Sequence, residues 1–546
     1  MKFSYKSLIV AGLLAGATAS CTDKLEIDQH GVQNYDTYYS TDEQIEAGVA
    51  EIYSQLHNRG IESFALKALL DGDFWCGGGQ RGDNGGYEQL NEYRFSSDLD
   101  ALLSWFQGYY TAINRANIIL DRVAEGQSAI GDRARAEAKV ARALMYFELA
   151  SMWGNAPLVD HVLEPSEYAQ PNSTAADLYA FCIQDLTEAI SSGKLYEKSS
   201  LAGDADQWRM SKAYAQALLG KVQLFAGKTA EAAASFDQVL NNPNYALYDG
   251  AYENVIQYRA KNNCESLFET QAANDMNNWQ FAIVGCMLRW RASYFDFSGF
   301  KGFPGNPDVD HNSLSYQSGQ DYGFYNPTGS LYADFVKLEG EDGYRLNQTM
   351  KTAKQLEDEL GLKIMGNFYG VEGLFMWKWR AGFDTMNWGG YGPMSYCNNY
   401  RWMRLAEVYL LAAEANVQSN NAKATEYLNV VRARAKEAPL SSCTLADIQI
   451  EKRCELCGEG VRYQDIQRWG IAKDLLAKQG ERIPTTTKDG IVWDTKANND
   501  PSKYGYKAGK HELLPIQSSA ALTSGSPGSA MEKVFVVISV VTVALT

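Results

Sequence analysis

The chain has 546 residues, of which 45% are hydrophobic and 21% charged, and its formal charge at pH 7 is −16. This composition is typical of a folded chain with a large core and excludes a disordered protein or a small disulfide-stapled scaffold. A negative surface repels phosphate backbones and anionic lipid, which argues against a nucleic-acid ligand. The chain is rich in aromatic residues, with 33 Tyr, 21 Phe and 12 Trp. Rings in this number either fill a core or form a recognition surface.

The N-terminus has the pattern of a secretion signal, in which Lys2 and Lys6 precede an apolar and small-residue run at 7–20. The run is too short to span a bilayer as a permanent helix. It ends at Cys21 in a Thr-Ala-Ser-Cys sequence that resembles the lipobox of bacterial lipoproteins. We expect Cys21 to be acylated, with ordinary cleavage and a spare thiol as the alternative. The acidic stretch 22–28 resembles the signal that sends Bacteroidetes lipoproteins to the outer cell surface.

Helical periodicity dominates the next two hundred residues. The first helix is predicted at 41–57 and begins with Thr41-x-x-Gln44, which resembles a capping box. A glycine-rich stretch at 71–87 follows and cannot be regular structure. Further helical patterns lie at 101–123, 132–153 and 174–191.

Two segments have the small and large residues at which paired helices interlock. In 208–240, Gly220 precedes Ala232-x3-Phe236, and in 408–435 a similar arrangement follows Ala412. Small residues let two helices approach closely, and a large residue fills the gap between them. We therefore predict a mainly α fold, a superhelix of TPR-like helical hairpins with an inserted irregular, loop-rich region.

The insertion is predicted where glycine, asparagine and aromatic residues increase between 299 and 392 without a sustained period. The predicted organisation is a signal peptide at 1–20, an N-terminal TPR-like helical region with a ligand loop at 21–240, an irregular insertion at 241–400, a C-terminal helical region at 401–516 and an atypical tail at 517–546. The end of that tail, 534–546, is apolar and β-branched. A buried strand and a foreign replacement of the natural terminus are both open interpretations.

Four spaced motifs resemble the signature segments of one family, the SusD/RagB nutrient-binding lipoproteins of Bacteroidetes. The likeness runs from the lipobox to about Ile516, and the motifs lie at 141–158, 322–328, 401–415 and 451–470. It implies a lipid-anchored protein on the outer face of the outer membrane that captures oligosaccharides and passes them to a SusC-type TonB-dependent transporter. It also implies binding and release, with no bond broken. We assign no cofactor and no metal-ligating residues, and the sequence leaves open whether a calcium ion is bound. Peptide capture, as in RagB-type members, is the alternative within the family.

A surface glycoside hydrolase is the alternative from another class. The chain has no HExxH, GxSxG or Walker sequence. Asp71 and Asp73 are the most tempting pair of carboxylates, but acids at a junction between helix and loop more often cap backbone amides. Cys454 and Cys457 form a close pair in a predicted helix, without the second pair of ligands that a zinc site needs.

Sugar capture needs aromatic faces for the C–H surface of a pyranose and forked polar groups for its hydroxyls. The glycine-rich stretch offers this mixture, and its candidate ligand-binding residues are Trp75, Gln80, Arg81, Asp83, Asn84 and Tyr87. Packing of Trp75 beneath the loop is the alternative. A second candidate group is Trp279, Trp290, Tyr322 and Tyr325. A cation–π contact at Trp290 and an architectural role for Tyr322 are the alternatives there.

Other conspicuous residues are assigned to the framework. Trp153, Trp402 and Trp469 lie in predicted helices and are expected in the core. Arg404, Glu407 and Glu414 are expected to form ion pairs between helices.

Overall fold

The computed structural model describes residues 38–257, 260–272, 295–296, 298–299, 323–379, 399–495, 498 and 500–516, together with the backbone of 533–535. Cys21 and three of the predicted aromatic contacts, Trp279, Trp290 and Tyr322, lie outside these residues. Among the described helices, none has both the length and the apolar character needed to cross a bilayer.

The described part is mainly helical, and its first half follows the predicted helices closely. In chain order the helices are α1 Asp42–Leu70, α2 Gly85–Asn91, α3 Asp100–Arg122, α4 Ala129–Met152, α5 Ala175–Ser191, α6 Lys212–Phe225, α7 Thr229–Leu240, α8 Gly329–Glu339, α9 Tyr344–Thr349, α10 Ala353–Leu360, α11 Leu405–Asn416, α12 Asn421–Arg434, α13 Leu445–Glu455, α14 Arg462–Arg468 and α15 Ala472–Leu475.

Helix α1 is longer at its C-terminal end than the sequence predicts. The capping box is confirmed, since Thr41 accepts from the Gln44 amide and the Gln44 side chain bonds the Thr41 backbone. The helix then continues through Gly60, where a Cβ atom would lie 2.4 Å from the Tyr400 ring. Gly60 lowers the helix propensity but lets α1 pack closely against that ring, so tertiary packing extends the helix to Leu70.

The helices stack in sequence, α3 on α4, α4 on α5, α5 on α6 and α6 on α7. Helix α7 then packs on α11, and α11 on α12, so the stack continues across the inserted region. A Cβ atom at Gly220 would lie 2.6 Å from the buried ring of Phe236. The predicted interlock of small and large residues is therefore confirmed in α6 and α7, and so is the TPR-like fold.

The strands are short and antiparallel. They are β1 Phe74–Gly77, β2 Ala156–Pro157, β3 Ala169–Ser173, β4 Ser266–Thr270, β5 Phe295–Asp296, β6 Phe324–Pro327, β7 Met350–Thr352, β8 Lys363–Ile364, β9 Phe368–Tyr369, β10 Leu374–Met376, β11 Tyr400–Arg404, β12 Ile483–Thr487, β13 Gly490–Asp494 and β14 Lys533–Phe535. The sheets that position the candidate site are the pair β1–β6 and the three strands β13–β12–β9. In the atypical tail, β14 pairs with β3.

The described part of the insertion is more regular than predicted. Between 323 and 379 it contains α8, α9, α10 and the strands β6 to β10. Thr328 caps α8, and Thr352 forms a capping box with Gln355 at the start of α10. Strands of two to four residues are too short to produce a sustained period in the sequence, which explains the underestimate.

The prediction that Trp402 and Arg404 lie on a helix is wrong. Both belong to β11, which pairs with β4 and directly precedes α11. Trp402 is buried, as expected of a core residue, and so is Trp153, whereas Trp469 is half-buried.

The expected ion pairs are present, but each charged residue has its own partners. Glu407 binds Lys221 at 2.8 Å, and Glu414 binds Arg468. Arg404 binds three buried carboxylates at 2.6–2.7 Å, those of Glu265, Glu455 and Glu459.

Those ion pairs set the protonation of the buried acids. Burial raises the pKa of Glu455, but Arg434, Arg404 and Arg345 outweigh that effect and hold the pKa at about 2.

Cys454 and Cys457 are free, and burial raises the pKa of both thiols.

Candidate functional site

The prediction that the glycine-rich stretch 71–87 has no regular structure is wrong in part, because Phe74–Gly77 form strand β1 and α2 begins at Gly85. Phe74 pairs with Pro327 and Gly77 with Phe324 across the β1–β6 ladder. Gly77 has a φ of +74°, and its Cα lies 2.5 Å from where a Cβ atom of Gly370 would be. The turn after β9 therefore packs directly on the loop, and only glycines allow this approach.

The two acids at the base of the loop are buried and do not face an open cleft. The Asp71 carboxylate accepts from the Asp73 amide at 2.8 Å, which is the capping interaction that the sequence suggests. Asp73 forms ion pairs with Arg453 at 2.8 Å and with Arg462 at 3.0 Å. Burial, followed by the charge of Asp73, raises the pKa of Asp71. The pair is tied into the framework.

Trp75 lies within β1 and is 9% exposed. Its indole N–H donates to Glu372 at 2.9 Å, and the same carboxylate oxygen accepts from the Gly329 amide at 2.8 Å. The Trp75 ring meets the ring of Trp493 at 6.0 Å and 69°. This geometry agrees with the alternative that Trp75 packs beneath the loop.

Arg81 fixes the loop to the neighbouring structure. Its guanidinium bonds both carboxylate oxygens of Glu92, lies 3.5 Å from Glu88 and donates to the Tyr369 hydroxyl at 3.4 Å. The hydrogen bond to Glu92 raises the pKa of Arg81. The Arg81 side chain is 35% exposed, so part of this cation still faces solvent.

The polar residues on either side of Arg81 shape the loop and leave side chains at the surface. Asp83 is exposed and accepts from the Gly79 amide at 2.7 Å. Asn84 caps α2 by accepting from the Tyr87 amide at 3.1 Å. Gln80 is exposed. The loop therefore presents Gln80 and Asp83 together on one short, ordered segment.

Tyr87 supplies the half-buried ring at the edge of this loop. The ring packs edge-on against Phe324 at 5.8 Å and tilted against Tyr325 at 6.2 Å. Burial raises the pKa of Tyr87, so it stays a neutral hydroxyl donor. Tyr325 is 0% exposed and has a φ of 62°, and it supports Tyr87 from below.

Three residues beside the loop were not predicted from the sequence, namely Tyr369, Arg482 and Trp493. Trp493 is half-buried on β13 and carries the Arg482 guanidinium 4.0 Å from its ring centroid. Tyr369 on β9 pairs with Thr485 on β12 and meets Arg81. The sequence contains one signal for this hairpin, Asp489-Gly490 between two alternating segments, but nothing local links it to a loop some 400 residues earlier.

We define the loop surface as residues 77–87 together with Tyr369, Arg482 and Trp493. It combines half-buried rings with carboxylate, carboxamide and guanidinium groups on a short scaffold of strands. Such a surface can pack against the C–H face of a sugar ring and bond its hydroxyls. Among the described residues, no group of three or more His, Cys, Asp or Glu side chains is arranged to hold a metal ion.

Comparisons with known proteins agree on one family. Residues 264–525 match the family model described as "SusD family", and residues 81–224 match one described as "Starch-binding associating with outer membrane".

Similar proteins match along nearly their whole length. SusD-like protein P25 of Formosa agariphila is 26% identical and covers 86% of this chain and 91% of its own. A SusD-like protein of Bacteroides ovatus is also 26% identical, over 86% of this chain and 83% of its own. The solved structure of a laminarin-binding SusD-like protein superimposes with a TM-score of 0.72 at 28% identity, covering 89% of this chain and 99% of its own. The chain belongs to the SusD/RagB family.

Proposed function

We propose that this protein is a surface lipoprotein, acylated at Cys21, that captures oligosaccharides and passes them to a SusC-type TonB-dependent transporter. The observation that carries the proposal is the loop surface, where half-buried rings lie beside exposed polar side chains. Family membership supports it, as does the laminarin-binding relative at 28% identity. A binding protein anchored beside the transporter raises the local concentration of ligand at the transporter entrance. This explains why the protein would need a lipid anchor.

Each residue of the loop surface has a proposed role. Tyr87 and Trp493 offer ring surface, while Gln80 and Asp83 bond sugar hydroxyls at its edge. Arg81 bonds the ligand with the part of its guanidinium that Glu92 leaves exposed, and Asn84 holds the turn. Trp75 and Tyr325 support the rings from below. Trp279, Trp290 and Tyr322 stay predicted contacts.

A glycan array separates the candidate functions. Residues 22–546 are expressed without the signal, immobilised, and tested for retention of laminarin, other polysaccharides and mixed peptides, with reducing ends assayed in parallel. We expect retention of one glycan class and no new reducing ends. Cleavage would contradict a binding protein, and retention of peptides alone would favour the RagB-type alternative. The framework location of Asp71 and Asp73 argues against cleavage.

Anchoring and delivery have separate tests. A Cys21→Ala protein should be released from the membrane fraction, whereas the wild type stays with it. Mild detergent extraction of the wild type should recover a TonB-dependent barrel with it. Retention of the variant on the membrane, or a wild type that is recovered alone, would contradict the respective part of the proposal.

A further inference from the structure

A cavity of about 460 Å³ lies on the helical frame and shares no residue with the loop surface. It is open to solvent on one side and is lined by the C-terminal end of α4, the first turns of α5, the end of α6, helices α14 and α15, and the chain around 506–513. Its size falls within the range of about 300–1,000 Å³ in which proteins hold small ligands.

Carboxamides line this cavity. Gln464 is 1% exposed and donates to the Ser151 hydroxyl at 2.7 Å. Its carbonyl oxygen has no hydrogen-bond partner among the residues that the structure describes. Gln467 accepts from the Tyr506 hydroxyl at 3.0 Å. The Gln464 oxygen is itself buried and does not open onto the cavity, whereas the carboxamide of Asn155, which also lines the cavity, is exposed. The lining can therefore bond ligand hydroxyls at its rim.

Aromatic rings form another side. Tyr179 and Phe225 both line the cavity, both are half-buried, and both pack on the buried Phe147, at 6.3 Å and 5.0 Å. This shared support holds the two rings in place without closing the space between the helices. Fixed rings next to carboxamides suit a ligand with an apolar face and a hydroxylated edge.

The charges around the cavity cancel. Arg468 bonds both oxygens of Glu414, at 2.5 and 2.9 Å, and Asp465 at 3.0 Å. Asp465 also pairs with Lys452 at 2.7 Å. The exposed lining residues Lys473 and Glu512 have opposite signs. A charged ligand would thus lose hydration without gaining a net opposite charge, so the lining favours a neutral molecule.

We propose that this cavity is a second binding site, for a neutral sugar of one or two pyranose rings. Because the Arg468 guanidinium lies 4.7 Å from the Phe225 ring centroid, the ring face of the sugar packs on Tyr179. Its hydroxyls bond the exposed carboxamide of Asn155. The cavity would hold a short sugar whether or not a longer glycan occupies the loop surface.

A blocking variant tests the site while leaving its polar groups in place. Ala175 is half-buried and lines the cavity, whereas its neighbour Ala176 is exposed and does not. Ala175→Trp fills the space, and Ala176→Trp adds the same side chain outside it. Wild type and both variants are titrated calorimetrically with glucose, galactose, mannose, xylose, maltose, cellobiose and laminaribiose.

We expect at least one of these sugars to bind the wild type saturably, with affinity at least about tenfold lower in Ala175→Trp and unchanged in Ala176→Trp. Should Ala175→Trp fail to fold, Tyr179→Ala removes one ring and should weaken binding in the same direction. The absence of saturable binding by all seven sugars, or a blocking variant that binds like the wild type, overturns the proposal.

A readout on polysaccharide keeps this test separate from the proposed function. Retention of polysaccharide by the Ala175→Trp protein should match the wild type. If polysaccharide is retained but no short sugar binds, the cavity proposal fails alone. If short sugars bind but no polysaccharide is retained, only the proposal that the loop surface binds glycans is contradicted.

Discussion

Arg404 and Arg81 both bind glutamates, yet they belong to regions built on opposite principles. Arg404 is 2% exposed, and its partners Glu265, Glu455 and Glu459 are buried with it. Arg81 bonds Glu92 but remains 35% exposed, beside the exposed Gln80 and Asp83. In the framework, the buried charged groups pair with one another. On the loop surface, Arg81, Gln80 and Asp83 keep polar atoms exposed that can bond a ligand. Stability and recognition are thereby assigned to different residues, and substitutions should separate them.

The largest expected effect comes from breaking the framework network. Arg404→Met leaves three carboxylates buried without their shared cation, and such a loss costs about 3–5 kcal/mol. Chemical denaturation should show the loss as a lower midpoint. Lys354→Ala, which removes an exposed helical ion pair with Asp358, is the control and should leave the midpoint unchanged. A stable Arg404→Met protein would refute the contrast.

A second framework test concerns the interlock of α6 and α7. Gly220→Val places side-chain atoms where the Phe236 ring already lies, and overpacking of this kind costs about 1–3 kcal/mol. The double variant with Phe236→Leu should recover part of that loss. Denaturation of the two single variants and the double variant gives the coupling energy. Additive losses would mean that the two residues do not interlock.

The framework also buries a titratable side chain, His511, which it accommodates in the neutral form. His511 packs against Tyr93 and Phe95, and its Nδ1 accepts from the Lys507 amide at 2.9 Å. Burial, followed by the charge of Lys510, lowers the pKa of His511 to about 4. The unfolded chain binds the proton more readily, so His511 should destabilise the fold as the pH falls from about 6.5 to 4, by at most about 1.4 kcal/mol per pH unit.

His511→Gln removes that titration without adding a charge. The urea midpoint of the wild type should fall relative to that of the variant as the pH falls through this range, because only the wild type loses stability through His511. Parallel curves would contradict the assignment.

The smallest effect on stability should come from the loop surface. Trp493→Ala removes a half-buried ring and should weaken glycan binding by about tenfold while leaving the melting temperature nearly unchanged. Trp208→Ala is a matched control, because Trp208 is also half-buried and carries a guanidinium, that of Arg209, 4.3 Å from its ring centroid. Equal binding by Trp493→Ala and wild type would remove Trp493 from the proposed site.

Local signals predicted the framework well. The caps and apolar periods at 41–240 mark most helix ends to within a few residues, although α1 continues well past its predicted end to Leu70. The Gly220–Phe236 contact follows from hairpin geometry alone. Arg404 and Trp402 were misplaced because pairing with β4 overrides the helical pattern around them. Helix propensity is a weak prior beside such tertiary bonds.

The candidate site was predicted only in part for the same physical reason. The glycine-rich stretch announces a polar loop with aromatic neighbours, and that loop exists. The burial of Trp75 depends on β6, Glu372 and Trp493, all of which are distant in sequence. The sequence around Trp75 therefore could not predict that these distant partners bury its ring.

The contacts of Glu372 determine when the loop surface forms during folding. Its carboxylate joins the Trp75 indole, 297 residues earlier, to the first amide of α8. Closing so long a chain segment is entropically costly and occurs after local helices have formed. An incomplete chain that ends before residue 372 can therefore stack α3 to α7 and pair β1 with β6, but it lacks the carboxylate that holds the Trp75 indole. As the protein folds, the recognition surface therefore forms only after the helical frame that supports it.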